Sequence, residues 1–141
     1  MAGKPDAARD AFDAALRFTA QDPELFIDRA RADSAIGSLN YAVADLDAAL
    51  AIDPKRADAL VYRASAWRQL GNLDHARADV AAALELAPDH LEGHLERGNI
   101  RRLEGDIKGA REDWEEVARL APGSPAAKSA ADNLVRLAPA K

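Results

Sequence analysis

GNLDHARADVAAALELAPDHLEGHLERGNIRRLEG, residues 71–105, runs from one glycine to another through two stretches separated by a proline. In the first stretch Leu73, Ala76, Val80, Ala83 and Leu84 place apolar side chains at the i, i+3/i+4, i+7 intervals of one helix face. Asn72 stands directly after the opening glycine, where a side-chain oxygen can accept from the free amides of a first helical turn. The closing glycine follows the second stretch directly and suits the left-handed residue that ends a helix. The segment therefore predicts helix, break at Pro88, helix, and a tight turn at Gly105.

At a spacing of 34 residues the same columns recur along the chain. Glycines fall at Gly3, Gly37, Gly71 and Gly105, and alanines at Ala8, Ala42, Ala76 and Ala110. Four residues after each alanine comes a larger apolar residue: Phe12, Leu46, Val80 and Trp114. Pro54, Pro88 and Pro122 close three units. First helices are expected near Pro23 to Ile36, Ala57 to Leu70 and Leu91 to Glu104, each followed by a second helix opening at Ser38, Asn72 or Asp106. A helix of the second kind over 5–20 has no first helix before it, which leaves Phe12, Leu16 and Phe18 in need of cover. After Pro122, Ser124 can cap a helix over 125–137 with Ala127, Ala130, Ala131 and Leu134 inward and Lys128, Asp132 and Arg136 outward.

The period, the alanine followed four residues on by a large apolar residue, and the closing proline resemble the tetratricopeptide repeat. The resemblance covers about residues 3 to 122 and implies an all-α fold, a right-handed α-solenoid of antiparallel helix pairs in a single domain over 1–141. Its parts would be the unpaired helix 5–20, three full repeats at 23–56, 57–90 and 91–124, and the C-terminal capping helix 125–137.

Alanine supplies 34 of the 141 residues and cysteine none, so there is no disulfide framework, thiolate nucleophile or cysteine zinc site. No apolar run approaches the length of a membrane span, and Asp6, Arg9, Asp10, Asp13 and Arg17 occupy the place of a signal peptide's apolar core. The compartment stays open between cytoplasm and, for a chain whose leader has been removed, periplasm. Fourteen arginines to five lysines, with abundant alanine, point to a GC-rich bacterial source. A net charge of -5 and the absence of basic runs alternating with aromatics argue against nucleic acid. His90 and His94 lie four apart, but His90 falls in a turn and no third ligand is evident, so no metal and no cofactor are expected. No catalytic constellation, phosphate loop or dinucleotide fingerprint is present, and the chain is not read as an enzyme.

Two charged columns stand at equal distances from the glycines. Arg29, Arg63 and Arg97 lie eight residues before them, and Asp45, Asp79 and Asp113 eight residues after. In an antiparallel hairpin equal distance from the turn means equal height, so Arg29 should meet Asp45, Arg63 Asp79 and Arg97 Asp113 as structural ion pairs.

The resemblance further implies that the first helices line a concave groove, and the function it implies is a protein-interaction scaffold binding a peptide segment of a partner. Candidate contacts in the groove are Ile27, Arg31, Val61, Tyr62, Ser65, Arg68, Leu95, Asn99 and Arg102, with Tyr62 central and the arginines reading acidic groups. Relatives that clamp the C-terminal carboxylate of heat-shock chaperones carry lysine and asparagine where Ile27 and Arg31 stand here, asparagine at Tyr62, and cationic residues at Glu92 and Glu96. That ligand is therefore not expected. A structural or self-associating module, forming a homo-oligomer through the N-terminal helix, and a fragment of a longer solenoid are the alternatives.

Overall fold

The computed structural model describes residues 9–13 and 22–137. Residues 9–13 are helical (α1). They are followed by α2 (Pro23–Ala35), α3 (Leu39–Ile52), α4 (Ala57–Gln69), α5 (Leu73–Leu86), α6 (Leu91–Leu103), α7 (Ile107–Leu120) and α8 (Pro125–Leu137). Among the described residues there is no strand, and no helix is long and apolar enough to cross a membrane. The sequence expectation for helix 5–20 lies mostly outside the described residues, Leu16 and Phe18 included.

The turn inside each hairpin is made by its glycine. Gly37, Gly71 and Gly105 have φ of 82°, 86° and 87°, a region that a Cβ disfavours. The next amide, of Ser38, Asn72 or Asp106, donates at 2.8 Å to the carbonyl five residues back, on Asp33, Trp67 or Arg101. That closure satisfies helix-end carbonyls and reverses the chain. The Asn72 and Asp106 side chains then cap α5 and α7 by accepting from the amides of His75 and Gly109. Ser38 occupies the same place but makes no side-chain cap bond to α3.

The hairpins α2/α3, α4/α5 and α6/α7 close on columns of small residues. Ala42, Ala76 and Ala110 have no exposure at all, and the residues four further on, Leu46, Val80 and Trp114, are sealed beside them. A methyl group at the contact lets two helix axes approach closely, and the following larger side chain fills the space between hairpins. Each hairpin also packs on the next, α3 against α4, α5 against α6 and α7 against α8.

The two rows of helices differ in one respect. α2 touches α4, α4 touches α6 and α6 touches α8, whereas among the described residues α3, α5 and α7 make no such contacts with each other. The row that stays in contact lies on the inside of the curve, so α2, α4, α6 and α8 line the concave face of an α-solenoid. The last helix seats Ala126, Ala127, Ala130 and Leu134 against α7 and its neighbours. Ala131, expected to face inward, is exposed, because it falls one position beyond the Ala127, Ala130, Leu134 stripe.

Trp114 shows how tightly the last hairpin fits. It is 1% exposed, its Nε1 donates to the Leu95 carbonyl at 3.2 Å, and its ring lies over Gly98. A Cβ on Gly98 would stand 2.3 Å from Trp114 Nε1. Gly98→Ala is therefore expected to destabilise the chain by about 1–3 kcal/mol through overpacking, although alanine is the better helix former. Urea unfolding of Gly98→Ala, with and without Trp114→Phe, checks this: the smaller ring should recover part of the loss.

Candidate functional site

The arginines and aspartates at equal distances from the glycines meet across each hairpin. Arg29 donates to Asp45 through Nε at 3.0 Å and Nη2 at 2.6 Å. Arg63 does the same to Asp79, both bonds at 2.8 Å. Arg97 reaches Asp113 through Nε at 3.1 Å and Nη2 at 2.8 Å. Such two-toothed pairing fixes the register of the two helices as well as their charge balance. Each pair also has a further partner. Asp13 adds to Arg29, Asp47 to Arg63 at 2.7 Å, and Arg101 to Asp113 at 2.9 Å. Arg9 bridges Asp33 and Asp45, and burial together with the neighbouring Asp45 carboxyl pushes the Asp33 pKa up.

The two histidines of the 90–94 interval have separate structural tasks. His90 Nδ1 accepts from the Gly93 amide at 3.0 Å and caps α6. His94 is buried, with Nε2 2.7 Å from the Pro88 carbonyl and Nδ1 3.5 Å from Asp113. No cluster of metal-ligating side chains occurs among the described residues.

On the concave face the structure divides the candidate groove residues. Ile27 and Val61, expected as its apolar floor, are 2% and 4% exposed and belong to the core shared by α2, α3 and α4. This corrects the sequence reading. The inner row of helices is packed on both flanks, so only a narrow strip of each helix remains open, and these two side chains fall beyond it. Tyr62 is half-buried against that core with the Arg31 guanidinium 5.4 Å from its ring centroid, a cation–π arrangement. Leu95 is likewise half-buried. At the N-terminal rim, Arg56 pairs with both Glu24 and Asp58, which removes much of the negative charge there.

Arg68 is not free. Its guanidinium is bonded to Glu96 on the next inner helix, with Nη2 also 3.5 Å from Ser65 Oγ. Glu96 is only 6% exposed, and burial raises its pKa against the opposing pull of Arg68, Asn99 and Ser65.

Between α4, α6 and α8 lies a hollow of ≈ 660 Å³. Arg68, Arg102 and Arg136 line it together with Asn99 and Asn133, above Ile107, Trp114 and Leu137. Among the described residues no carboxylate lines it. Asn133 Nδ2 donates to Asn99 Oδ1 at 3.4 Å and ties the capping helix to α6. Asn133 and Arg136 are not among the groove residues expected from the sequence; Arg136 is exposed, as its outward placement there implies, and stands at the edge of the hollow. The signal was present, for Arg68, Arg102 and Arg136 form one column at the 34-residue spacing, and Asn99 and Asn133 another.

A tetratricopeptide repeat family model matches residues 27–90 and 68–125. Among solved structures, a thermophilic tetratricopeptide protein of Thermus thermophilus has a TM-score of 0.81 at 23% identity, over 96% of this chain and 75% of that one. The Arabidopsis OM64 tetratricopeptide domain has 0.72 at 24% identity, over 81% and 94% of the two chains. The first tetratricopeptide domain of Spaghetti (RPAP3), solved bound to the HSP90 peptide SRMEEVD, has 0.74 at 21% identity, over 83% and 90%. No curated protein matches the chain in sequence.

Two outcomes follow from the charged groups. Arg63→Ala leaves Asp79 nearly buried and without its two-toothed partner, and is expected to cost about 1–3 kcal/mol. A double-mutant cycle with Asp79→Ala should give a non-zero coupling, and strict additivity would remove the pair as a source of stability. Glu96 holds its proton more tightly in the folded chain than in the unfolded one, so its contribution is most favourable at low pH and declines as pH rises through the raised pKa. In urea titrations between about pH 4 and pH 7, the stability of the parent relative to Glu96→Gln should fall as pH rises, and a flat difference would contradict the direction.

Proposed function

Because the chain belongs to the tetratricopeptide repeat family, whose members are generally non-catalytic interaction scaffolds, we propose that its concave face binds a peptide segment of a partner protein. The observation that carries this reading is the open strip along α2, α4, α6 and α8, which joins the Tyr62–Arg31 pair to the hollow of arginines and asparagines. Tyr62 offers a partly exposed aromatic surface already braced from behind by the core, the setting in which an interface side chain contributes most. Ser65 on the next turn of α4 and Leu95 on α6 extend the contact.

Relatives bind peptides on the same architecture, as the RPAP3 domain does with its HSP90 peptide. The chaperone carboxylate itself does not suit this chain: at the columns where the clamp needs cations, Ile27 is core and Glu96 is a buried acid bonded to Arg68. An arc of this length presents a shallow surface, so binding on the order of micromolar is expected.

Selection of twelve-residue peptides displayed on phage, followed by titration of the enriched peptides, tests the proposal. Tyr62→Ala should weaken binding about tenfold or more, about 1.4 kcal/mol, whereas Ala78→Glu on the exposed side of α5 should have no effect. Enriched peptides that ignore Tyr62→Ala and are lost with Ala78→Glu would move the binding surface to the outer row of helices.

A further inference from the structure

Arg68, Arg102 and Arg136 stand one per inner helix, on α4, α6 and α8, at intervals of 34 residues. Among the described residues, only the first of them has a carboxylate partner. Glu96 on α6 binds Arg68, and the position that bears the same relation to Arg102 on α8 is Ala130, a fully buried methyl group. Among the described residues neither Arg102 nor Arg136 has an acidic partner, although acids outnumber bases in the chain as a whole, 24 to 19. The repeat thus supplies one arginine with its anion and leaves the next two facing an open hollow lined, among the described residues, by no carboxylate.

We infer that this end of the concave face recognises an acidic, extended peptide segment with two carboxylates three residues apart, one taken by Arg102 and the other by Arg136. The inference rests on the concave-face reading above and adds to it the chemistry and the spacing of the ligand. Neighbouring helices pack about 8–10 Å apart. A polyproline-type chain rises about 3.1 Å per residue with three residues per turn, so side chains at i and i+3 leave the same side about 9 Å apart. That matches one carboxylate to each inner helix. An extended chain of this kind has no internal hydrogen bonds, and Asn133, whose Nδ2 is directed to Asn99, keeps its Oδ1 to accept a ligand amide. Arg68, also at the edge of the hollow, already has Glu96 as its anion.

The test uses the peptides selected on the whole chain as above, resynthesised with acetylated and amidated ends so that no terminal carboxylate is present. Sequencing of the selected phage should show Asp or Glu at i and i+3 of the enriched peptides, and fluorescence anisotropy gives their Kd. Replacing both acids by their amides, or making Arg102→Gln together with Arg136→Gln, should raise Kd about tenfold or more. Kd should also climb as salt is raised from about 0.05 to 0.3 M. Circular dichroism verifies that the double variant, whose sites are exposed, retains its helices. Peptides that depend on Tyr62 but neither contain the acidic pair nor respond to the arginine double variant would overturn this inference and leave the concave-face reading intact. Peptides indifferent to Tyr62 and to both arginines would overturn both. A labelled twelve-nucleotide oligothymidylate bound as tightly, and lost with the double variant, would overturn the assignment to an acidic peptide.

Discussion

The structure depends on the close approach of two helices around a fully buried alanine. Ala42, Ala76 and Ala110 are fully buried at equivalent places in their hairpins, and the left-handed glycines Gly37, Gly71 and Gly105 return the chain at the same height in each. Any larger side chain at the alanine would force the axes apart, and any other turn length would shift the register by a fraction of a helical turn. With the approach fixed, residues equidistant from the glycine are level. The Arg–Asp pairs can then form with two bonds each, and α2, α4, α6 and α8 fall near enough to touch in succession while α3, α5 and α7 do not touch one another. Curvature, and with it the concave face, is a consequence of that same small contact.

Repetition has a second effect, on charge. A column that repeats every 34 residues places like groups on neighbouring helices, so a single arginine in the pattern becomes a ladder. Many guanidinium groups of this chain are consumed internally, among them Arg29, Arg63 and Arg97 by the hairpin aspartates, Arg56 by the acidic rim and Arg68 by Glu96. The ladder outlasts its internal partners on the side of the capping helix, because that helix contributes Ala130 to the core where α6 contributes Glu96. A cap needs apolar residues facing the last hairpin, and meeting that need leaves the two final arginines facing open space.

The fold was legible because its information is periodic. A glycine, an alanine and a larger apolar residue recurring in register identify a hairpin even where a single unit is ambiguous, and the level Arg and Asp columns meet for the same geometric reason. The concave face was legible only in part. Ile27 and Val61 lie on the helices that line it, but a step of one residue turns a side chain through about 100°, enough to carry it from the open strip into the core. Apolar residues among polar neighbours on a helix packed from both flanks are better assigned to that core. The partner of Arg68 was hidden by distance, 28 residues along the chain and on another repeat. Arg136 and Asn133 were hidden by the boundary drawn at residue 124: the capping helix continues the inner columns, and extending the period across it finds both.

The central claim is that the concave row of helices, at its capped end, is where this chain meets its partner. Nitrogen-15 NMR of the arginine side chains, recorded while a selected capped peptide is titrated in, observes the groups concerned directly. The Nε–Hε signals of Arg102 and Arg136 are expected to shift with the added peptide while those of Arg77 and Arg119, on the outer helices α5 and α7, stay in place. Shifts at Arg77 and Arg119 with Arg102 and Arg136 unmoved would contradict the account and put the interaction on the convex side.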